Sequence, residues 1–329
     1  MKIAIIGACE FMEENDDKYK YSTNPWTAIE PVLKDADVVC MNLHTVITNS
    51  NTKWGSGPNE NLKIESGYNR GGEREMTQLR NIIPNVEIYC ALANSHTLDY
   101  GIRGMKNTIS VLGNLGIRHA GAGVDRIAAK TPARGNILFF SATSVCICCN
   151  RDQQIKWGAS NSRGGAYWVG IREGEYDFVI EDIENIRKND SAITIVFSIH
   201  FGLNWHNPPR LAKDMRHFAM SLIDAGVDIV FGHGAHHILP VERYNGGIII
   251  NALGDMVNTV VHKEQSSTRH AMRADLSAIL MIENKTKITV FPVWRPHGNP
   301  QLLECKHRNY NKVCLKLKDG CTEDCPYEE

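Results

Sequence analysis

Three apolar runs of strand length, residues 86–92, 193–199 and 227–231, each lead straight into a histidine-bearing turn. The turns read Ala93-Asn94-Ser95-His96-Thr97-Leu98-Asp99-Tyr100-Gly101, His200-Phe201-Gly202 and Gly232-His233-Gly234-Ala235-His236-His237. A predominantly apolar run marks a strand covered on both faces, which demands a layer on each side of its sheet. Side chains at the C-terminal ends of such strands converge on one crevice. The pattern therefore predicts an α/β fold with a metal or acid/base site along one sheet edge.

The remaining chain alternates in the same way. Strands are expected at 3–7, 38–43, 88–92, 137–143, 193–200 and 229–231, and helices at 101–115, 176–189 and 209–225. In the last helix Leu211, Met215, Phe218, Leu222 and Ile223 recur at helical spacing. Segments 239–244 and 248–251 around Asn245-Gly246-Gly247 read as a hairpin, as do 276–282 and 288–294 around Glu283-Asn284-Lys285. The Asn-, Gly- and Ser-rich stretch 49–72 reads as a long polar loop that either covers the site or is disordered. Residues 1–300 read as one domain and 301–329 as a polar, cysteine-bearing tail.

Composition excludes more than it identifies. Lys and Arg number 36 against 37 Asp and Glu, so a net charge of −1 gives no global attraction to nucleic acid or an anionic membrane. The first strand is too short for a signal-peptide apolar region, and no run reaches the length of a membrane span. A soluble, cytoplasmic or otherwise intracellular chain, or a mature fragment stripped of its leader, is the expectation. Its partner is then a small-molecule or peptide substrate, with the oligomeric state left open. Ten cysteines in such a chain read as reduced thiols. Cys40 and Cys90 fall in apolar strands, whereas Cys9 and the Cys146, Cys148, Cys149 group follow strands at the edge where the imidazoles lie. Cys305, Cys314, Cys321 and Cys325 match no zinc-ribbon spacing.

Several candidates have plain structural alternatives. Asp99 also suits the start of the helix at Gly101, His237 reads as a packing residue, and Trp205-His206-Asn207-Pro208-Pro209 reads as a rim loop. Arg273 and Arg295 can each grip a carboxylate or phosphate with two hydrogen bonds, or lie on the surface.

Gly7-Ala8, Asn42-Leu43-His44, Ala93 to Gly101, Gly121-Ala122-Gly123, His200-Phe201-Gly202, Gly232 to His236 and Leu253-Gly254-Asp255 stand in an order that is itself informative. Taken together, from Ile3 to about Pro300, they resemble the CapA/PgsA family of poly-γ-glutamate capsule synthesis, within the calcineurin-like metallophosphatase superfamily. The resemblance implies a four-layer αββα sandwich, two mixed β-sheets flanked by helices, with the site at loop ends on one edge. It also implies an Asp after strand one, an acidic residue after strand two, an Asn before the catalytic His and three later histidines, which together hold two divalent metals. This chain has Ala8, His44 and Ser95 at the first three of those places and keeps His200, His233 and His236. A methyl group cannot ligate and a neutral imidazole bridges two cations poorly, so a two-metal centre is not expected.

Three chemistries stay open. In the first, His200, His233 and His236, with His44, hold one transition-metal ion such as zinc, manganese or iron. His96 is then a general acid oriented by Asp99, as the family pattern implies, and Asn42, Asn94, Ser95 and Arg273 contact a phosphoester or an anionic, polyglutamate-like peptide that is hydrolysed. In the second, no metal binds, and the imidazoles with Cys9, Glu10 and Asp255 exchange an α-proton, a precedent implied by the lasso-peptide epimerases among relatives of this fold. In the third, the crevice binds an anionic peptide or glycan without turning it over.

Overall fold

The computed structural model describes residues 1–11, 24–54, 68–144, 157–201, 209–258, 273–296 and 299–318. It is a mixed α/β fold with two principal sheets. The first is built on β1 (Lys2–Glu10), with β2 (Val38–Leu43), β3 (Glu87–Ala91) and β4 (Arg118–Ala120) added in parallel on one side. On the other side β14 (Leu276–Glu283), β15 (Lys287–Trp294) and β16 (Gln301–Leu302) add antiparallel, while β13 (Asp255–Asn258) pairs in parallel with the end of β1. In the second sheet β7 (Ile137–Thr143), β9 (Thr194–His200), β10 (Ile229–His233) and β12 (Gly247–Leu253) are parallel, edged by antiparallel β6 (Ala133–Arg134) and β11 (Ile238–Tyr244). A two-residue ladder joins β5 (Ala122–Gly123) to β8 (Gly165–Ala166).

The helices are α1 (Glu30–Lys34), α2 (Glu73–Ile82), α3 (Gly101–Asn114), α4 (Arg126–Lys130), α5 (Asp177–Asn189), α6 (Pro209–Asp224) and α7 (Tyr310–Lys318). Alternation along β1 divides its side chains between two apolar clusters. Ala4 and Ile6 join Leu33 of α1, Met76 and Leu79 of α2, and Met105 and Leu112 of α3. Ile3 and Ile5 join Phe139, Val196, Phe231 and Ile250 of the second sheet. Phe140, Phe197 and Ile199, on the second sheet, pack with Val179 and Ile183 of α5 and Phe218 and Leu222 of α6. Each of the larger side chains contributes about 1.5–3 kcal/mol when fully buried, which explains why these strands read as predominantly apolar runs.

Two features depart from the sequence expectation. Strand β1 continues past Gly7 to Glu10, because β13 pairs with its end in the register Ala8↔Asp255 and Glu10↔Asn258 while β2 pairs with Ala8 and Cys9 on the other side. Any side chain at Gly7 would collide with the Gly254 carbonyl, which accepts from the Ala8 N–H at 3.0 Å, and Gly254 itself sits at φ +71°. Both glycines therefore fix the β1–β13 crossing. The second departure is at the C-terminus. The stretch expected as a polar tail from 301 supplies β16 and α7, and Val313 and Leu317, one turn apart, are fully buried in the cluster between the sheets. Val313, Leu315 and Leu317 recur at every second residue, and Leu315 is exposed, so the segment carries little helical signal. Cys305 and Cys314 are free thiols there, while Cys321 and Cys325 lie outside the described residues. Among the described residues no helix is long and apolar enough to cross a membrane.

Candidate functional site

The C-terminal ends of β1, β2 and β3 meet those of β9 and β10. Glu10 ends β1, His44 follows β2, and His96 stands on the turn after β3. His200 and His233 end β9 and β10 opposite one another in register, and His236 lies three residues on. All five imidazoles are buried. His44 is central: its ring centroid lies 4.5 Å from that of His96, 5.1 Å from His200 and 5.3 Å from His236.

On one side of His44 stand two carboxylates. Glu10 Oε1 is 2.5 Å from His44 Nδ1 and 3.4 Å from His236 Nδ1, and Asp255 Oδ1 is 2.9 Å from the same His236 nitrogen. Asn258 Nδ2 donates to both acids, at 2.8 Å to Glu10 Oε2 and 2.9 Å to Asp255 Oδ2. His236 has φ +58°, a left-handed backbone that costs a non-glycine residue about 1–2 kcal/mol and that these contacts oppose.

On the other side, His96 Nδ1 lies 2.7 Å from Asp99 Oδ2, and the Asn69 N–H donates to the same oxygen at 2.6 Å. Burial opposes a charged imidazole here, yet the Asp99 carboxylate prevails and raises the His96 pKa above its ordinary value. Burial raises that of Asp99 too. The remaining imidazoles move the opposite way. Burial and neighbouring imidazoles hold His44 and His200 well below the usual range, and burial with His236 takes His233 to about 3. These three are neutral at pH 7, with lone pairs to offer. His200 Nδ1 faces His233 Nδ1 at 3.1 Å, and His233 Nε2 meets Ser198 Oγ at 2.9 Å.

Glu10, His44 and His236 each bring a ligand atom within 4.8 Å of the other two. One carboxylate and two imidazoles suit zinc, iron or manganese, so this set could hold one such ion. Ala8 and Ser95 stand where the resemblance implies further acidic or amide ligands. Sequence pattern alone assigns no ligand role to Glu10 and does not single out Asn258 or Ser198. Their signal was local: polar residues at the ends of buried strands.

The other expected site residues divide. Ser95 Oγ lies 3.0 Å from His44 Nε2, inside the cluster. Asn94 spends its amide on Asn42 Oδ1 at 3.0 Å and the Leu43 carbonyl at 2.8 Å, and accepts from the His96 N–H at 2.9 Å. Asn42 and Asn94 thus shape the turn that carries His96. Cys9 is sealed in the cluster with α1–α3, and burial pushes its thiol well above the usual range. Arg273 forms a fork with Asp275, 2.8 Å for each of two hydrogen bonds, and contacts Asn309 rather than any imidazole. His237 Nδ1 meets the Ala235 carbonyl at 2.7 Å. Cys146, Cys148, Cys149 and the 205–208 stretch lie outside the described residues.

A family model described as bacterial capsule synthesis protein PGA_cap matches residues 2–260. A probable polyglutamine synthesis accessory protein of Mycobacterium tuberculosis is 32% identical over 241 residues, 71% of this chain and 59% of its own. The PGA biosynthesis protein CapA of Bacillus subtilis is 25% identical over 230 residues, 70% of this chain and 55% of its own. The capsule biosynthesis protein CapA of Bacillus anthracis is 24% identical over 238 residues, with 70% and 54% covered. This chain thus spans somewhat over half the length of these relatives.

Proposed function

Since the chain belongs to the bacterial capsule synthesis protein PGA_cap family, we propose that it is a divergent CapA-type hydrolase that uses one transition-metal ion at Glu10, His44 and His236. The substrate is an anionic, polyglutamate-like peptide, a class suggested by the names of its relatives. We also take its layers as those of the calcineurin-like αββα sandwich, with the three apolar clusters filling the spaces between them.

The mutual reach of the Glu10, His44 and His236 donors carries this reading. When bound, the ion would polarise a substrate oxygen and acidify a water molecule. The chain's own groups do the rest. Asp255 and Asn258 hold His236 and Glu10 in place. His96, whose Nδ1 is held by Asp99 and whose pKa that carboxylate raises, donates a proton from Nε2 to the leaving atom. His200 and His233, neutral and buried, line the crevice without adding charge. Hydrolysis is favoured over epimerisation to the extent that one of the bases the latter would use, the Cys9 thiol, is enclosed by apolar side chains.

Untagged protein and its Glu10→Gln and His236→Ala variants are compared for bound metal and for cleavage of γ-linked glutamate oligomers by mass spectrometry. Wild type should retain stoichiometric metal and cleave, and both variants should lose metal and cleavage together. Wild type that stays metal-free after loading with zinc, manganese or iron would overturn this function. Deuterium entering uncleaved oligomer would replace hydrolysis with epimerisation, and binding with neither outcome would leave a carrier.

A further inference from the structure

The two arginines that the sequence marks as anion-binding candidates have separate fates. The Arg273 fork is occupied by Asp275. Arg295 instead stands one residue beyond the end of β15, a strand that runs in the same direction as β1 because each is antiparallel to β14. It therefore emerges at the sheet edge where Glu10 ends β1. Its side chain is only 6% exposed, and its guanidinium comes within 3.8 Å of Asp255 Oδ2, the acid whose other oxygen holds His236. That separation is too long to be a hydrogen bond. Nη2 donates to the Ala274 carbonyl, while Nε is buried with no hydrogen-bond partner among the described residues. A guanidinium is always charged, so an unspent buried donor here is costly unless a ligand takes it.

We propose that Arg295 is the anion-recognition residue of this site and receives a carboxylate of the substrate through its Nε edge, beside Asp255 and His236. This rests on the cluster being the active site. A planar carboxylate matches the two-donor edge of guanidinium. A carboxylate is also favoured over phosphate by charge: Glu10 and Asp255 stand at the same end of β1, and a phosphate group carrying up to two charges at one point would meet greater repulsion from them than a carboxylate group carrying one. For a γ-linked glutamate chain, the group recognised is the free α-carboxylate left on every residue.

The test titrates glutarate and, separately, inorganic phosphate into the purified full chain by calorimetry, with Arg295→Lys and Arg295→Met alongside and metal content measured on the same samples. Glutarate should bind wild type, about tenfold more weakly in R295K and about a hundredfold more weakly in R295M, with metal unchanged. R295K keeps the cation and lacks the planar fork, so it remains informative if R295M fails to fold. Equal glutarate affinity in wild type and a folded variant would overturn the assignment. So would phosphate binding without glutarate binding, or loss of metal from both variants, which would make Arg295 a support for Asp255. Failure of the metal reading is distinguishable, because wild type would then lack metal whatever Arg295 does to glutarate.

Discussion

His236 is approached by two acids from neighbouring strands, at 2.9 Å from Asp255 and 3.4 Å from Glu10, and neither occupies the position where the related pattern has its first Asp. That position is Ala8, and in the register of β1 with β13 it faces Asp255. Negative charge absent at residue 8 is thus supplied two residues along and across the ladder. Glu10→Gln keeps the shape and removes the charge. It should weaken metal affinity by at least about a hundredfold, because even partners of the ligands are worth ten- to hundredfold, and competition with a chelator of known affinity measures it. Retained affinity would exclude Glu10 as a ligand. In metal-free protein the same crowding makes stability depend on pH. His233 titrates near 6.5 in the unfolded chain and at about 3 when folded, so below pH 6.5 protons bind the unfolded state preferentially. Its contribution is complete above pH 6.5 and is lost as pH falls toward 3, at up to about 1.4 kcal/mol per pH unit. Urea unfolding of chelator-treated protein between about pH 7 and pH 5 should show this slope, shallower by about that amount in His233→Asn. An unchanged slope would mean that His233 is not shielded from protons.

Strand ends were legible because apolar runs stop abruptly where the sheet edge begins, and the imidazoles are what stands there. The Asn245-Gly246 turn was legible for a local reason: both residues have positive φ, 45° and 79°, as a two-residue hairpin turn requires. Elements fixed by tertiary pairing were not. The last three residues of β1 are strand because they lie between β2 and β13, the latter some 250 residues away in sequence, and no local pattern encodes that. Helix α7 is short and rich in lysine, and its two inward residues are recognisable only once the cavity between β11, β14 and β15 exists for them. Leu317→Ala should therefore destabilise the whole fold by about 2–5 kcal/mol, measured as a shift in urea midpoint with unchanged slope. A change under about 0.5 kcal/mol, ordinary for a surface site, would return the segment to the status of a tail.

Neither sheet contains the site alone. Glu10, His44, His96 and Asp255 come from strands or turns of the first sheet, whereas His200, His233 and His236 come from the second, and the apolar cluster of Ile5, Phe139, Phe231 and Leu280 holds the two together beneath. An ion bound by Glu10 and His44 on one side and His236 on the other would bridge the two sheets at the end where burial of apolar surface gives way to polar contacts. At free ion a hundredfold above its dissociation constant, the gain is about 2.7 kcal/mol, which corresponds to roughly 4 °C in Tm for a chain of this size. Heating scans with and without zinc should show that rise in wild type and not in Glu10→Gln. Location discriminates further than magnitude. Hydrogen exchange should slow with zinc at the end of β1 and also between Gly232 and Ile238, because both sheets would have to open for the ion to leave. Slowing confined to the first sheet would place the ion among residues of that sheet alone and remove His236 from its ligands.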